Sequence, residues 1–166
     1  MDASSNMTKD AAHTLVIGSG TMGPSLALCL ALAGHYTALI ARRSVALAQA
    51  EAETGYLELA EAELLLATAD GWRTRLTFGT DLATAAKNID FAFEAIAENA
   101  DAKQTLFAAI EDAAPPSAIL SSTTSGMAVE TVPGSATDSA VMDSLCAFIG
   151  GLGKEPIRLQ RDPSGH

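Results

Sequence analysis

Leu15-Val16-Ile17-Gly18-Ser19-Gly20-Thr21-Met22-Gly23 is a short apolar run that breaks into three spaced glycines and passes into an alanine- and leucine-rich stretch. The run reads as a strand, the glycines as its turn, and the residues beyond as a helix. Gly18 has no Cβ to obstruct a tight bend, Gly20 lets backbone approach a ligand closely, and Gly23 lets the helix pack tightly on the strand. A helix start also offers free N–H groups and the positive end of a dipole, which suit an anion such as pyrophosphate. The spacing alone also describes a plain strand-to-helix connection. The strand before it and the helix after it favour a dinucleotide site, with Gly18, Gly20, Thr21, Met22 and Gly23 as its phosphate-binding residues.

Working outward, Thr14 to Ile17 is the expected strand. Met22, Leu26, Cys29, Leu30 and Ala33 recur at helical spacing up to a stop at Gly34. Pro24 falls in the first helical turn, where a missing N–H costs little. Tyr36 to Ile40 is a second strand, completing a βαβ unit. The residues just past that strand select the cofactor. A carboxylate there takes a ribose 2′-hydroxyl, whereas arginine accommodates a 2′-phosphate. Here the chain reads Ala41-Arg42-Arg43-Ser44. Two guanidiniums and a hydroxyl form a phosphate pocket, so NADP is expected in preference to NAD. The alternative is a pair of solvated arginines at a strand end.

Composition bounds the rest. A chain of 166 residues, 48 % hydrophobic and 18 % charged, is large enough for one domain with a real core. Residues 1–12 are polar and small and are expected to form a flexible tail, not a signal peptide, with 13–166 as one dinucleotide-binding domain. No apolar run is long enough to span a membrane, so a soluble, cytoplasmic protein without a membrane partner is expected. The formal charge of −10 repels nucleic acid. Cys29 and Cys146 fall in helical patterns without metal-ligand spacing, so buried thiols and no metal are expected.

Further along, Ser44 to Thr68 is helical with an interruption near Gly55, and Glu51, Glu53, Glu58, Glu61 and Glu63 form a solvated face. Leu76 to Phe78 is a third strand, and Asp81 caps a short helix ending near Lys87. Phe91 to Phe93 is a fourth strand. Asp101 to Asp112 is a helix buried through Leu106, Phe107 and Ile110, and Ala118 to Leu120 is a fifth strand. Val141 to Ile149 reads as a helix facing the core through Val141, Leu145, Phe148 and Ile149, followed by a last strand at Ile157 to Leu159. Strands alternating with helices predict an α/β Rossmann-type, doubly wound, mostly parallel sheet with helices on both faces.

The order of I-G-S-G-T-M-G, then F-E-A-I-A-E-N-A-D-A-K, then I-L-S-S-T-T-S-G-M resembles the NAD-binding domain of the L-3-hydroxyacyl-CoA dehydrogenases, including their lambda-crystallin-like and gulonate dehydrogenase relatives. The resemblance runs over most of the chain from His13 and implies an oxidoreductase of fatty acid metabolism. Its substrate would be an acyl-CoA or a small hydroxy acid. It implies that Glu98 lies by the nicotinamide, that Lys103 helps hold the cofactor, and that Ser125 contacts the substrate hydroxyl. Read from the residues alone, Glu98 and Lys103 are equally a surface ion pair and Ser125 a turn hydroxyl.

The family's catalytic histidine lies on a strand after the T-S segment, and that strand has no counterpart here. Val129-Glu130-Thr131 passes directly to Val132-Pro133-Gly134. Glu130 matches either the glutamate that orients the histidine or the helix after the T-S segment. The histidines are His13, His35 and His166, none placed by sequence beside Ser125. The chain also stops at Asp162-Pro163-Ser164-Gly165-His166, where family members continue into a helical domain. Two functions stay open, a dehydrogenase and a nucleotide-binding module without turnover of its own. A homo-oligomer is a further expectation, because losing a strand exposes a sheet edge.

Overall fold

The computed structural model describes residues 11–42, 44–65, 69–123 and 139–155. Strands β1 (His13–Ile17), β2 (Tyr36–Ile40), β3 (Leu76–Gly79), β4 (Phe91–Glu94) and β5 (Ile119–Ser122) form one sheet in the order β3-β2-β1-β4-β5. Every pairing in it is parallel, with Val16 opposite Leu39 on one side and Phe93 on the other. Parallel neighbours require crossovers, and these run through α1 (Met22–Leu32), α2 (Val45–Glu61) with α3 (Trp72–Arg75), α4 (Leu82–Ala85) and α5 (Ala100–Ala113), while α6 (Ser139–Gly151) follows β5.

Alternation along the strands sends side chains to two cores. Val16, Leu39 and Phe93 pack with α1, α2, α3 and α6 on one face. Leu15, Ile17, Ile40 and Ala92 pack with α4 and α5 on the other. Each fully buried Leu or Val removes enough apolar surface from water to contribute about 1.5–3 kcal/mol. The doubly wound architecture expected from the sequence is therefore present, with helices on both faces. On the first face, Phe148 of α6 stacks on Phe91 at 4.1 Å between ring centroids and sits 4.8 Å from the His35 ring.

Several local expectations change. Helix α2 runs through Gly55 without interruption, because a Cβ there would lie 3.2 Å from Leu28 Cδ2 and the glycine lets α2 lie close on α1. Helix α1 buries Gly23, Pro24, Ala27, Leu28 and Leu30 through Leu32, whereas Met22 is 60 % exposed and Cys29 is exposed. Packing against both the sheet and α2 selects the small and leucine-rich face over the stripe read from spacing. Cys146 is partly exposed. Glu51, Glu58, Glu61 and Glu63 are solvated, but Glu53 accepts two hydrogen bonds from Arg73, at 2.7 and 2.5 Å. The same guanidinium lies over the Tyr56 and Trp72 rings, tying the unforeseen α3 to α2. Glu94 belongs to β4, and α5 buries Lys103 beside Phe107 and Ile110. The expected strand at Ile157 to Leu159, and Met127 to Thr131, lie outside the described residues.

Helix starts follow the capping rules. Ser44, Asp81 and Asn99 each accept a hydrogen bond from the backbone N–H three residues on, at 3.1, 3.1 and 2.8 Å. Asp81 also accepts from the Thr84 hydroxyl at 2.7 Å, and these bonds hold its carboxyl below the usual range. A lowered folded-state value makes this contribution complete above the ordinary carboxylate range and lost as pH falls through the folded value. Urea melts near pH 7 should show Asp81→Ala less stable than the parent, and the gap should narrow as pH is taken down through and below the ordinary carboxylate range; a gap that stays constant into acid would remove the carboxylate from this account.

Candidate dinucleotide site

The strand order reverses about β1, so the crossovers from β1 and β4 leave the sheet on opposite faces and open a crevice at its carboxyl edge. A cavity of about 980 Å³ fills that crevice. Its floor is Ile17, Gly18, Ser19 and Gly20, and one end is bounded by Arg42, Thr80 and Leu82. The far wall is Ala95 to Ala97 with the α5 side chains Thr105 and Leu106.

The three glycines of the turn do different work. Gly18 has φ +126°, and a Cβ there would sit 2.2 Å from the Ala95 carbonyl oxygen. A Cβ on Gly23 would lie 1.7 Å from the Gly18 carbonyl oxygen, so the start of α1 packs directly against the turn. Gly20 has neither reason. Its φ is ordinary and a Cβ would meet no protein atom within 4 Å. Open space over a glycine on the cavity floor is what close approach of a ligand to the backbone requires. No side chain caps α1, whose N-cap Thr21 makes no side-chain bond, in contrast to α2, α4 and α5.

The other predicted residues divide. Arg42 is exposed and lines the cavity at the end of β2, where no carboxylate stands. Arg43 and Ser125 lie outside the described residues. Ser44 caps α2 by accepting from Leu47 N, which explains that hydroxyl without a ligand. Thr21 and Met22 are exposed at the start of α1. Glu98 and Lys103 are not a simple surface pair: the lysine is 1 % exposed and bonds the buried Glu94 at 2.7 Å, while Glu98, with its side chain 42 % exposed, stands 3.7 Å away. Burial of the ammonium demands a buried counter-charge, and Glu94 at the strand end supplies it.

Sequence reading passed over Glu94, Thr80 and the 95–97 wall. The available signal was a carboxylate ending the apolar strand F-A-F-E, because a charge at that register faces a parallel sheet's buried edge. The two described histidines lie at the opposite edge of the sheet. His13 opens β1, and His35, 2 % exposed, precedes β2 and accepts from Ala12 N through Nδ1 at 3.2 Å. Among the described residues, no group of three or more His, Cys, Asp or Glu is placed to hold a metal, and no helix is long and apolar enough to cross a membrane.

A glycine-floored crevice at the switch point of an all-parallel sheet defines a dinucleotide-binding domain of the doubly wound class. Residues 13–131 match the family model described as 3-hydroxyacyl-CoA dehydrogenase, NAD binding domain, and the chain belongs to that family. It is 28 % identical to 3-hydroxyadipyl-CoA dehydrogenase of Escherichia coli (strain K12) over 179 aligned positions, taking in 89 % of this chain and 38 % of the relative. That span exceeds the 166 residues of this chain, so the relative carries residues there without counterparts here. A 3-hydroxybutyryl-CoA dehydrogenase structure from Escherichia coli K12 superposes with TM-score 0.76 at 26 % identity, covering 90 % of this chain and 38 % of that one. M. tuberculosis FadB2 gives TM-score 0.81 at 22 % identity, covering 90 % and 64 %, a likeness of fold.

The glycine contacts predict separable effects. Gly20→Ala should melt within about 0.5 kcal/mol of the parent yet bind nicotinamide dinucleotide at least tenfold more weakly, as read by fluorescence titration. Gly23→Ala should be destabilised by about 1–3 kcal/mol or more in urea melts, from overpacking. Equal stability losses in the two variants would contradict the division of roles.

Proposed function

We propose that the cavity binds a nicotinamide dinucleotide, NADP in preference to NAD. The chain is then the cofactor-binding part of an oxidoreductase acting on a 3-hydroxy or 3-keto acyl thioester or a small hydroxy acid. The observation that carries the reading is Gly20, a glycine whose missing side chain serves no protein contact and leaves the cavity floor open. Backbone N–H groups from Gly18 to Gly23 and the uncapped start of α1 suit the pyrophosphate. Arg42, with Arg43 beside it in sequence, suits a 2′-phosphate, although the family model is described for NAD. The family resemblance assigns Glu98, Lys103 and Ser125 to the nicotinamide end, and the cavity-lining Ala97, Asn99 and Ala102 neighbour the first two in sequence.

The dinucleotide, when bound, supplies the hydride acceptor or donor. The chain's own residues orient it, and the apolar wall of Ala95, Ile96 and Leu106 limits water at that end. A base near the substrate hydroxyl is also needed. The placement of His13 and His35 at the opposite sheet edge favours a second reading, a cofactor-binding module whose base comes from another chain or segment.

Titration should show NADPH binding at least tenfold tighter than NADH, with Arg42→Ala erasing most of the difference, since a charge-assisted hydrogen bond contributes about 1.5–3 kcal/mol. Equal affinities would remove the NADP preference. Turnover of acetoacetyl-CoA with NADPH would favour the dehydrogenase, and binding without turnover the module.

A further inference from the structure

Glu94 is fully buried and is bonded by three segments of the chain at once. Its Oε1 accepts from Ile96 N at 2.6 Å, and its Oε2 accepts from Lys103 Nζ at 2.7 Å and from Ser122 Oγ at 2.5 Å. Lys103 Nζ also approaches Ser122 Oγ at 3.5 Å and Glu98 Oε2 at 3.7 Å. The carboxylate therefore ties the loop after β4, the first turn of α5 and the end of β5 at the cavity's far wall.

That wall bears directly on the glycine turn. Ala95 N donates to Ile17 O at 2.8 Å, and the Ala95 carbonyl occupies the space a Cβ on Gly18 would need. Ile96 and Ala97 line the cavity, as do Asn99 and Ala102 of the α5 start. A loop lying between the floor and α5 has few backbone partners of its own, so a buried acceptor on Ile96 fixes its course.

We infer that Glu94 is a positioning residue: through Ile96 and Lys103 it holds the 95–97 wall against the glycine turn and keeps the cavity in its ligand-binding shape. Two carboxylates reach for one ammonium, and the buried one takes it. Glu98 stands further from the ammonium, at 3.7 Å, with its side chain 42 % exposed. The significance for cofactor binding rests on the dinucleotide reading; the clamp on the wall does not.

Removing Glu94 alone leaves a buried, uncompensated Lys103 and endangers folding. The test therefore compares two paired variants, Glu94→Leu with Lys103→Met, and Glu94→Gln with Lys103→Met. Replacement of a buried ion pair by packed apolar groups is commonly tolerated, and the glutamine retains an oxygen for Ile96 N. Melting temperatures establish that both are folded, and amide exchange is followed by NMR without ligand. The leucine pair should exchange the Ile96 and Ala97 amides at least tenfold faster than the parent, and the glutamine pair should restore most of that protection. Because Lys103 is absent from both, the pairs are compared with each other: NADPH affinity should be at least tenfold weaker in the leucine pair than in the glutamine pair. Parent-like exchange in the leucine pair, equal exchange in the two pairs, or looser exchange in the leucine pair with NADPH affinity equal to that of the glutamine pair overturns the inference. Failure of the parent itself to bind NADPH would overturn the dinucleotide reading alone, because the exchange comparison stands without ligand.

Discussion

The close approach of α1 to the turn that precedes it constrains the rest of the molecule. With the Gly18 carbonyl where a Gly23 Cβ would be, the helix starts hard against the end of β1. Its axis is then set relative to the sheet, its small and leucine-rich face is buried, and its N-terminus, without a side-chain cap, follows directly on the cavity-lining Gly18 to Gly20. Gly18 makes a second close contact, with Ala95, which brings the β4 loop to the same point. A hydrogen bond from Gly18 N to Ile40 O at 3.0 Å fastens the turn to the end of β2 as well. Three strands thus converge on one residue without a side chain, and the cavity is the space left above it.

Charge is arranged around this point in two ways. On the β2 side Arg42 is an exposed cation lining the cavity, in a protein of formal charge −10. On the β4 side the charges are buried and internally paired. Bringing Glu94 and Lys103 out of water carries a large desolvation cost, which their contact and the bonds from Ile96 and Ser122 offset. An exposed cation remains available to a ligand, whereas a buried pair rigidifies the wall.

Much of this was legible in the residues. The alternation of apolar runs with helical spacing located the five described strands and the longer helices, since these follow from local periodicity. Asp81 was recognisable as a cap because its bond spans only three residues. The glycine turn was legible because strand, turn and helix are contiguous. Gly55 was misread as an interruption, because its use lies in Leu28, on another helix. Helix α3 was missed because four residues carry no periodicity and it is held by Glu53, Tyr56 and Trp72 contacts.

By itself the sequence determined the α/β class, the position of the glycine turn between β1 and α1 and the absence of a carboxylate after β2, all consequences of neighbouring residues. Tertiary structure alone decided that Gly20 faces open space while Gly18 and Gly23 face backbone. It also decided that Lys103 is buried on Glu94 and that Ser122 closes the same cluster from 28 residues away. Such facts depend on which strands become neighbours, and in a parallel sheet those neighbours are brought together only by crossovers that no local pattern spans.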